Sequence, residues 1–395
     1  MNVNRWGIVT AVSLLFLTGC FPMFQQPEEE ETVVEEPQQE EQNVDIVPQV
    51  STPENYYQSV LYDGAYLHGN SRGFGNAVVY NRLDLDQLEM GLTQIAKETF
   101  DPENYFFREG QFISRSEINE WLMRYDEESN RFGINPALGE GETMREREDS
   151  QPRYLSHILE HNYLVQNENG NYELGGIVIG LSMNSVYNFR VEDDQGRYTF
   201  YETNISQEVM ERQGQEMAAE IVERLRVTTR EDGVFNQIPI TVALFREQPQ
   251  QSTIPGNFIM KSTAPPGEGL ERWQRLNERY YLFPSSAANE DVNNDAAQFQ
   301  QVKDDLQSFF DTFVGVVGRG YYVDNQLQEM TIEVPLRYQG KAEIVALTQY
   351  AADVIQQRMT NQNVKVNLYV TSVAGKHESL VVKNPGEEPF IHVFE

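Results

Sequence analysis

Five consecutive residues in the middle of the chain have the types and spacing of a metal site: His157-Ile158-Leu159-Glu160-His161. The pattern H-x-x-E-H is that of inverzincins, where two imidazoles share one helical face and bind zinc beside a glutamate base. A catalytic zinc needs a third protein ligand, and no helical motif downstream supplies one. The stretch is therefore read as a structural helix with two edge or exposed histidines and no bound metal. His68, His377 and His392 are dispersed, and core or surface roles are expected for them. There is no G-x-S-x-G elbow and no P-loop. Gly69, Gly73 and Gly75 lie in Gly-Asn-Ser-Arg-Gly-Phe-Gly, which lacks a strand-to-helix setting and reads as a turn. Gly318-Arg319-Gly320-Tyr321-Tyr322 could offer aromatic rings to a peptide or glycan, but core and turn packing accounts for it better. No cofactor and no catalytic residue follows, so a non-enzymatic protein is expected.

The thiol chemistry points elsewhere. Cys20 is the only cysteine in 395 residues, which excludes a disulfide framework and a CxxC metal site. It closes Leu17-Thr18-Gly19-Cys20, a stretch that resembles a lipobox, the signature of bacterial lipoproteins. Arg5 carries the one positive charge ahead of an apolar run from Ile8 to Leu17. That run is shorter than the about 20 apolar residues a bilayer span needs, and residues 1–19 read as an export signal. Small residues before the cut let the chain lie extended in a peptidase, and the cysteine sulfur takes the lipid. A diacylglyceryl group brings two acyl chains, enough for stable anchoring where one is marginal. The expected location is the outer face of the cell membrane, with the bilayer and the lipoprotein-processing enzymes as partners.

Residues 20–55 then form a tether. From Phe21 to about Tyr56 the chain carries Glu28 to Glu31, Glu35, Glu36, Glu40, Glu41, Asp45 and Glu54 and no lysine or arginine. It is also rich in glutamine and proline. Such a segment buries too little apolar area to offset its ordering entropy and is expected to be disordered, with like charges keeping it extended. Over the whole chain 30 basic residues face 61 acidic ones, a formal charge of −31. Nucleic acid, whose binders need a basic face, is excluded as a partner, and so is electrostatic docking on anionic lipid.

The remainder is long enough for two domains and mixes two periodicities. Leu85, Leu88, Leu92 and Ile95 recur at helical spacing, and Ser114 with Glu117 has capping-box spacing before Ile118, Trp121 and Leu122. Glu127 to Pro152 is polar and reads as a long loop. An internal repeat follows. Ile177, Ile179, Leu181 and Met183 alternate as Met330, Ile332, Val334 and Leu336 do. Met217-Ala218-Ala219-Glu220-Ile221-Val222 matches Tyr350-Ala351-Ala352-Asp353-Val354-Ile355, and Ile240, Val242 and Leu244 match Val364, Val366 and Leu368. Upstream, Tyr163-Leu164-Val165 matches Tyr321-Tyr322-Val323, each expected after a helix, with Asp304 to Val314 as the second copy's helix. The alanine pair should let each helix lie close on its sheet. The first copy carries an extra hairpin near Val191 to Glu202 and a longer loop near Val227 to Asn236. The predicted fold is α+β: two related repeat units, 56–265 and 268–395, with antiparallel or mixed sheets, joined at the Ala264–Gly269 segment.

A lipobox, an acidic tether and two copies of this unit resemble the CamS family of sex-pheromone lipoproteins from Gram-positive bacteria. Gly175-Gly176-Ile177-Val178-Ile179-Gly180-Leu181, Gly320-Tyr321-Tyr322-Val323-Asp324 and the two Ala-Ala helices carry the resemblance, which covers nearly the whole chain. It implies that the end of the cleaved signal is released as a short peptide that induces conjugative mating. The matching stretch is Ser13-Leu14-Leu15-Phe16-Leu17-Thr18-Gly19, apolar and uncharged. The family supplies no catalytic residues. The alternative is an extracellular lipoprotein with no pheromone role, whose folded repeats hold a peptide or cell-wall ligand between them.

Overall fold

The protein is described by a computed structural model over residues 44–48, 50, 54–70, 84–227, 230–311, 314–337 and 340–395. Cys20, the lipobox and residues 13–19 lie outside the described residues. In chain order the elements are β1 (Val44–Ile46), β2 (Val60–Tyr62), β3 (Ala65–Tyr66), α1 (Leu85–Ala96), β4 (Phe106–Glu109), α2 (Arg115–Leu122) and α3 (Met144–Ser150). There follow β5 (Leu155–Gln166), β6 (Tyr172–Met183), β7 (Val186–Glu192), β8 (Tyr198–Asn204), α4 (Gln207–Leu225), β9 (Ile240–Arg246), β10 (Asn257–Ala264) and β11 (Gln274–Arg275). The second half holds β12 (Glu278–Phe283), α5 (Ser286–Asp291), α6 (Asn293–Ser308), β13 (Val317–Val323), β14 (Gln326–Leu336), α7 (Lys341–Arg358), β15 (Lys365–Ser372), β16 (His377–Lys383) and β17 (Phe390–Val393).

Two six-stranded sheets carry the fold, in the orders β4-β5-β6-β9-β10-β11 and β12-β13-β14-β15-β16-β17. The sheets correspond strand for strand. In each, one parallel pair, β6 with β9 and β14 with β15, sits among antiparallel neighbours. A parallel pair needs a long crossover, and α4 and α7 supply it. The mixed α+β fold in two related units is thus the observed one. The register refines the repeat: Ile177 lies opposite Ile240 and Met330 opposite Val366. Ile240 therefore corresponds to Val366 and not to Val364. A shift of two keeps every side chain on its face, so alternation alone could not tell the two alignments apart. The Ala264–Gly269 turn joins β10 to β11 within the first sheet, and the chain changes sheets between Arg275 and Glu278. Both sheets belong to one compact unit, Asn43–Glu395.

The first sheet is covered on both faces. Ile177, Ile179, Leu181, Val242 and Leu244 pack under α4 through Met210, Met217, Ala218 and Ile221. The opposite face, with Val178, Ala243 and Phe245, packs under Leu88, Leu92 and Ile95 of α1. Fully burying one such side chain contributes about 1.5–3 kcal/mol. Only the first alanine of each pair does the expected work: Ala218 and Ala351 are buried, while Ala219 is exposed and Ala352 half-buried. In the second unit α6 and α7 both lie on one face, where Phe299, Val302, Leu306, Leu347 and Ala351 meet Met330, Ile332, Val334 and Val366. The other face, with Arg319, Tyr321, Glu329, Thr331 and Lys365, is polar and only half-buried.

Three expectations give way. The 127–152 stretch is not all loop, because α3 stands in it, started by a capping box in which Thr143 accepts from Glu146 N. None of the residues of α3 is buried, so no apolar stripe marked it. Residues 157–161 are not helical either; they belong to β5, paired with β6 throughout and with β4 at His161. The helix expected over Asp304 to Val314 begins earlier, α6 ending at Ser308. The extra hairpin is β7 with β8, and the Ser114 capping box forms. No helix among the described residues is long and apolar enough to cross a membrane.

Candidate ligand-binding cleft between the repeats

Part of the polar face of the second sheet is covered, while Glu333 and Pro335 on the same face of β14 are exposed. The covered part faces α1 of the first unit across a cleft of about 500 Å3. Gln87, Met90 and Gln94 of α1 form one wall, and Arg319, Tyr321, Thr331 and Lys365 of β13, β14 and β15 the other. Glu278 and Tyr280 of β12 lie at the seam. Gly91 lets α1 sit low enough, since a Cβ there would collide with the Phe258 ring on β10. The Tyr280 phenol donates to Gln87 Oε1 at 2.9 Å across the cleft, and at its edge Lys365 pairs with Glu54, in the segment before β2, at 2.6 Å.

The rings of Tyr280 and Tyr321 stand 4.9 Å apart, inclined by 31°. Beside them, burial pushes the Glu278 carboxyl up to about 7, against the hydrogen bond its Oε2 accepts from Phe258 N at 3.0 Å. Burial, then the nearness of Glu278, raises both phenols, which stay protonated donors. Burial opposes the charge on Lys365, but its hydrogen bond with Glu54 and the nearby Glu329 outweigh it and raise it. The bond to Lys365 holds Glu54 low. Arg319 has no hydrogen-bond or ion-pair partner among the described residues and supplies an unspent cation. Rings, side-chain amides and an unpaired guanidinium suit a ligand with flat faces and polar edges.

The sequence candidates are distributed by strand alternation. In Gly318–Tyr322, Arg319 and Tyr321 line the cleft, whereas Gly318, Gly320 and Tyr322 face the second core. There the Tyr322 phenol donates to Asp295 at 2.9 Å. His157 and His161 are buried on one face of β5, and burial alone pushes them down to about 4 and about 3, so both are neutral. Glu160, three residues from His157, falls on the other face, as period two requires. Its carboxylate accepts from Phe112 N and Ile113 N, tying the loop after β4 to the sheet, and burial raises it. A spacing of four puts residues on one face of a helix and of a strand alike, so the two histidines could not decide between them. Among the described residues no three His, Cys, Asp or Glu side chains are placed to hold a metal. Gly69 N donates to Glu109 at 2.6 Å in an irregular stretch ending in a turn at Asn70; Gly73 and Gly75 lie outside the described residues. His68 packs edge-on to Tyr66, and His377 against Tyr369.

Gln87, Glu278 and Tyr280 were not singled out from the sequence. The Glu278-Arg279-Tyr280-Tyr281 run alternates as a strand, a signal that could have placed Tyr280 on the face of Tyr321. Nothing local to Gln87 marks it.

The sequence pattern described as "CamS sex pheromone cAM373 precursor" matches residues 66–389. A crystal structure of a sex pheromone precursor from Lactobacillus salivarius subsp. salivarius UCC118 superposes with a TM-score of 0.78 at 28% identity, over 89% of this chain and 99% of that one. The C-terminal domain of the sex pheromone staph-cAM373 precursor from Staphylococcus aureus superposes with a TM-score of 0.65 at 29% identity, over 78% of this chain and 96% of that one. No functionally curated protein matches. With the pattern running through both sheets and the cleft between them, the chain belongs to the CamS family of sex pheromone cAM373 precursors.

Proposed function

We propose that the chain is a lipid-anchored surface lipoprotein whose export signal is the source of a mating peptide. Cleavage before Cys20 leaves the sulfur to carry the lipid and defines the end of Ser13-Leu14-Leu15-Phe16-Leu17-Thr18-Gly19. A second cut near Val12 frees that peptide. The observation that carries this reading is the match to a family of pheromone precursors over residues 66–389. The peptide has no charged side chain, which suits passage between cells, whereas an anchored domain cannot diffuse. The test applies synthetic Ser13–Gly19 peptide to plasmid-bearing donor cells, beside the mature chain without its signal. Mating induced by the peptide supports the assignment; mating induced by the mature chain and not by the peptide overturns it.

The folded part has a separate, non-enzymatic role in this proposal: it holds a peptide or cell-wall ligand between the repeats. The cleft that carries the Tyr280–Tyr321 pair favours this reading, because its walls come from both units. Binding of cell-wall fragments or short peptides to the mature chain, compared with a Tyr321→Ala variant, tests it. Equal affinity in both would remove the cleft from the account.

A further inference from the structure

A second recess, of about 300 Å3, shares Asn257, Leu276 and Glu278 with the cleft. Its character is opposite to that of the chain, which has 61 acidic residues against 30 basic ones. Three guanidinium groups line it: Arg246 from the end of β9, Arg275 from β11 and Arg279 from β12. Arg275 is spent in a two-bonded pair with Glu211, at 2.7 and 2.6 Å. Arg246 has no hydrogen-bond or ion-pair partner among the described residues, and its Nε is buried without one. A buried N–H left unpaired costs free energy, so this one is met by water or by an acceptor group entering the recess. Arg279 is exposed and makes no ion pair; its guanidinium donates to the Tyr281 phenol oxygen and lies near Asp291, and its solvent-facing donors remain for a ligand. Gln207, the first residue of α4, also lines the recess. The positive end of a 19-residue helix dipole adds to Arg246 and Arg279. The nearby carboxyls are engaged: Glu211 by Arg275, Asp291 by the Tyr281 phenol, and Glu278 by Phe258 N.

We propose that this recess is an oxyanion site, in which Arg246 and Arg279 grip one carboxylate or phosphate group of the ligand held between the repeats. The inference rests on the binding role given to the cleft. Guanidinium forks match the paired oxygens of both groups. The two anions reach the site from different sources, a peptide terminus or a phosphate-bearing wall polymer, and one chemistry serves both.

Isothermal titration of the mature chain at constant ionic strength, with inorganic phosphate and separately with acetate, tests it. Saturable one-site binding of at least one anion is expected, and the tighter one names the source. Arg246→Gln and Arg279→Gln should each weaken it at least tenfold. Arg337→Gln, the same charge change at an exposed residue just beyond β14, should leave it unchanged. Arg279 is exposed, so its variant keeps the result readable if Arg246→Gln disturbs the fold. Absence of saturable binding, or equal weakening by Arg337→Gln, overturns the proposal. Tyr321→Ala should not alter anion binding. If it also fails to alter binding of peptide or wall fragments, the cleft reading falls while the oxyanion site stands.

Discussion

The Tyr280 phenol and the Gln87 amide oxygen meet at 2.9 Å across 193 residues of sequence. The bond ties the first strand of the second sheet to the helix that caps the first, and so fixes the width of the cleft. Tyr280→Phe keeps the ring and removes the tie. It should lower stability by about 1 kcal/mol in chemical denaturation and leave the fold intact. Tyr321→Ala removes a ring that the core does not need and should reduce ligand affinity with little change in stability.

Gly91→Ala sets two effects against each other. Alanine favours the helix by about 1 kcal/mol over glycine, but the new Cβ would collide with Phe258. Overpacking costs about 1–3 kcal/mol and should win. The expected result is a net loss of stability in thermal melts, with α1 pushed toward the cleft. A stabilised variant would show that α1 is not seated as described.

Glu247 should make the protein less stable above neutral pH. It is fully buried, its Oε1 accepts from Ser156 and, at 2.7 Å, from Ser182, and its Oε2 has no partner. Burial pushes the carboxyl up to about 7 from 4.5. A raised carboxyl stabilises the fold below its unfolded value, and that contribution is lost as pH rises through about 7. Glu247→Gln should therefore gain up to roughly 3 kcal/mol at pH 8 relative to its effect at pH 4. Denaturation midpoints at the two pH values measure it; an equal effect at both would refute the buried charge.

His157 and His161 act in the opposite sense. The unfolded chain protonates histidine near 6.5, the folded chain only at about 4 and about 3. Unfolding then takes up protons below 6.5, so these groups erode stability as pH falls through that window. A His157→Gln/His161→Gln protein should show a flatter stability profile between about pH 6.5 and 4, and the same metal content as wild type. Stoichiometric zinc in the wild type, absent from the variant, would contradict the account of both as neutral buried histidines.

The duplicated sheet was legible because both copies alternate with period two and both crossover helices carry a small residue against the sheet. Residues 157–161 were not, since a spacing of four satisfies either periodicity and only pairing with β6 decides. α3 was hidden by having nothing to bury. Tyr321 could be reached from its own neighbours. Tyr280 could have been reached from the alternation of its own strand, but Gln87 could not, because what makes it part of a site is that α1 covers the first sheet and faces the polar side of the second. That relationship exists only between units.

Mass spectrometry of culture supernatant and membrane fraction together tests the central claim most directly. The account predicts a free Ser13–Gly19 peptide in the supernatant and, in the membrane, a mature chain beginning at Cys20 with a diacylglyceryl group on its sulfur. Cys20→Ala should abolish the lipid, as no other thiol exists. A membrane chain that keeps residues 1–19, or lipid that persists on the Cys20→Ala protein, would contradict it.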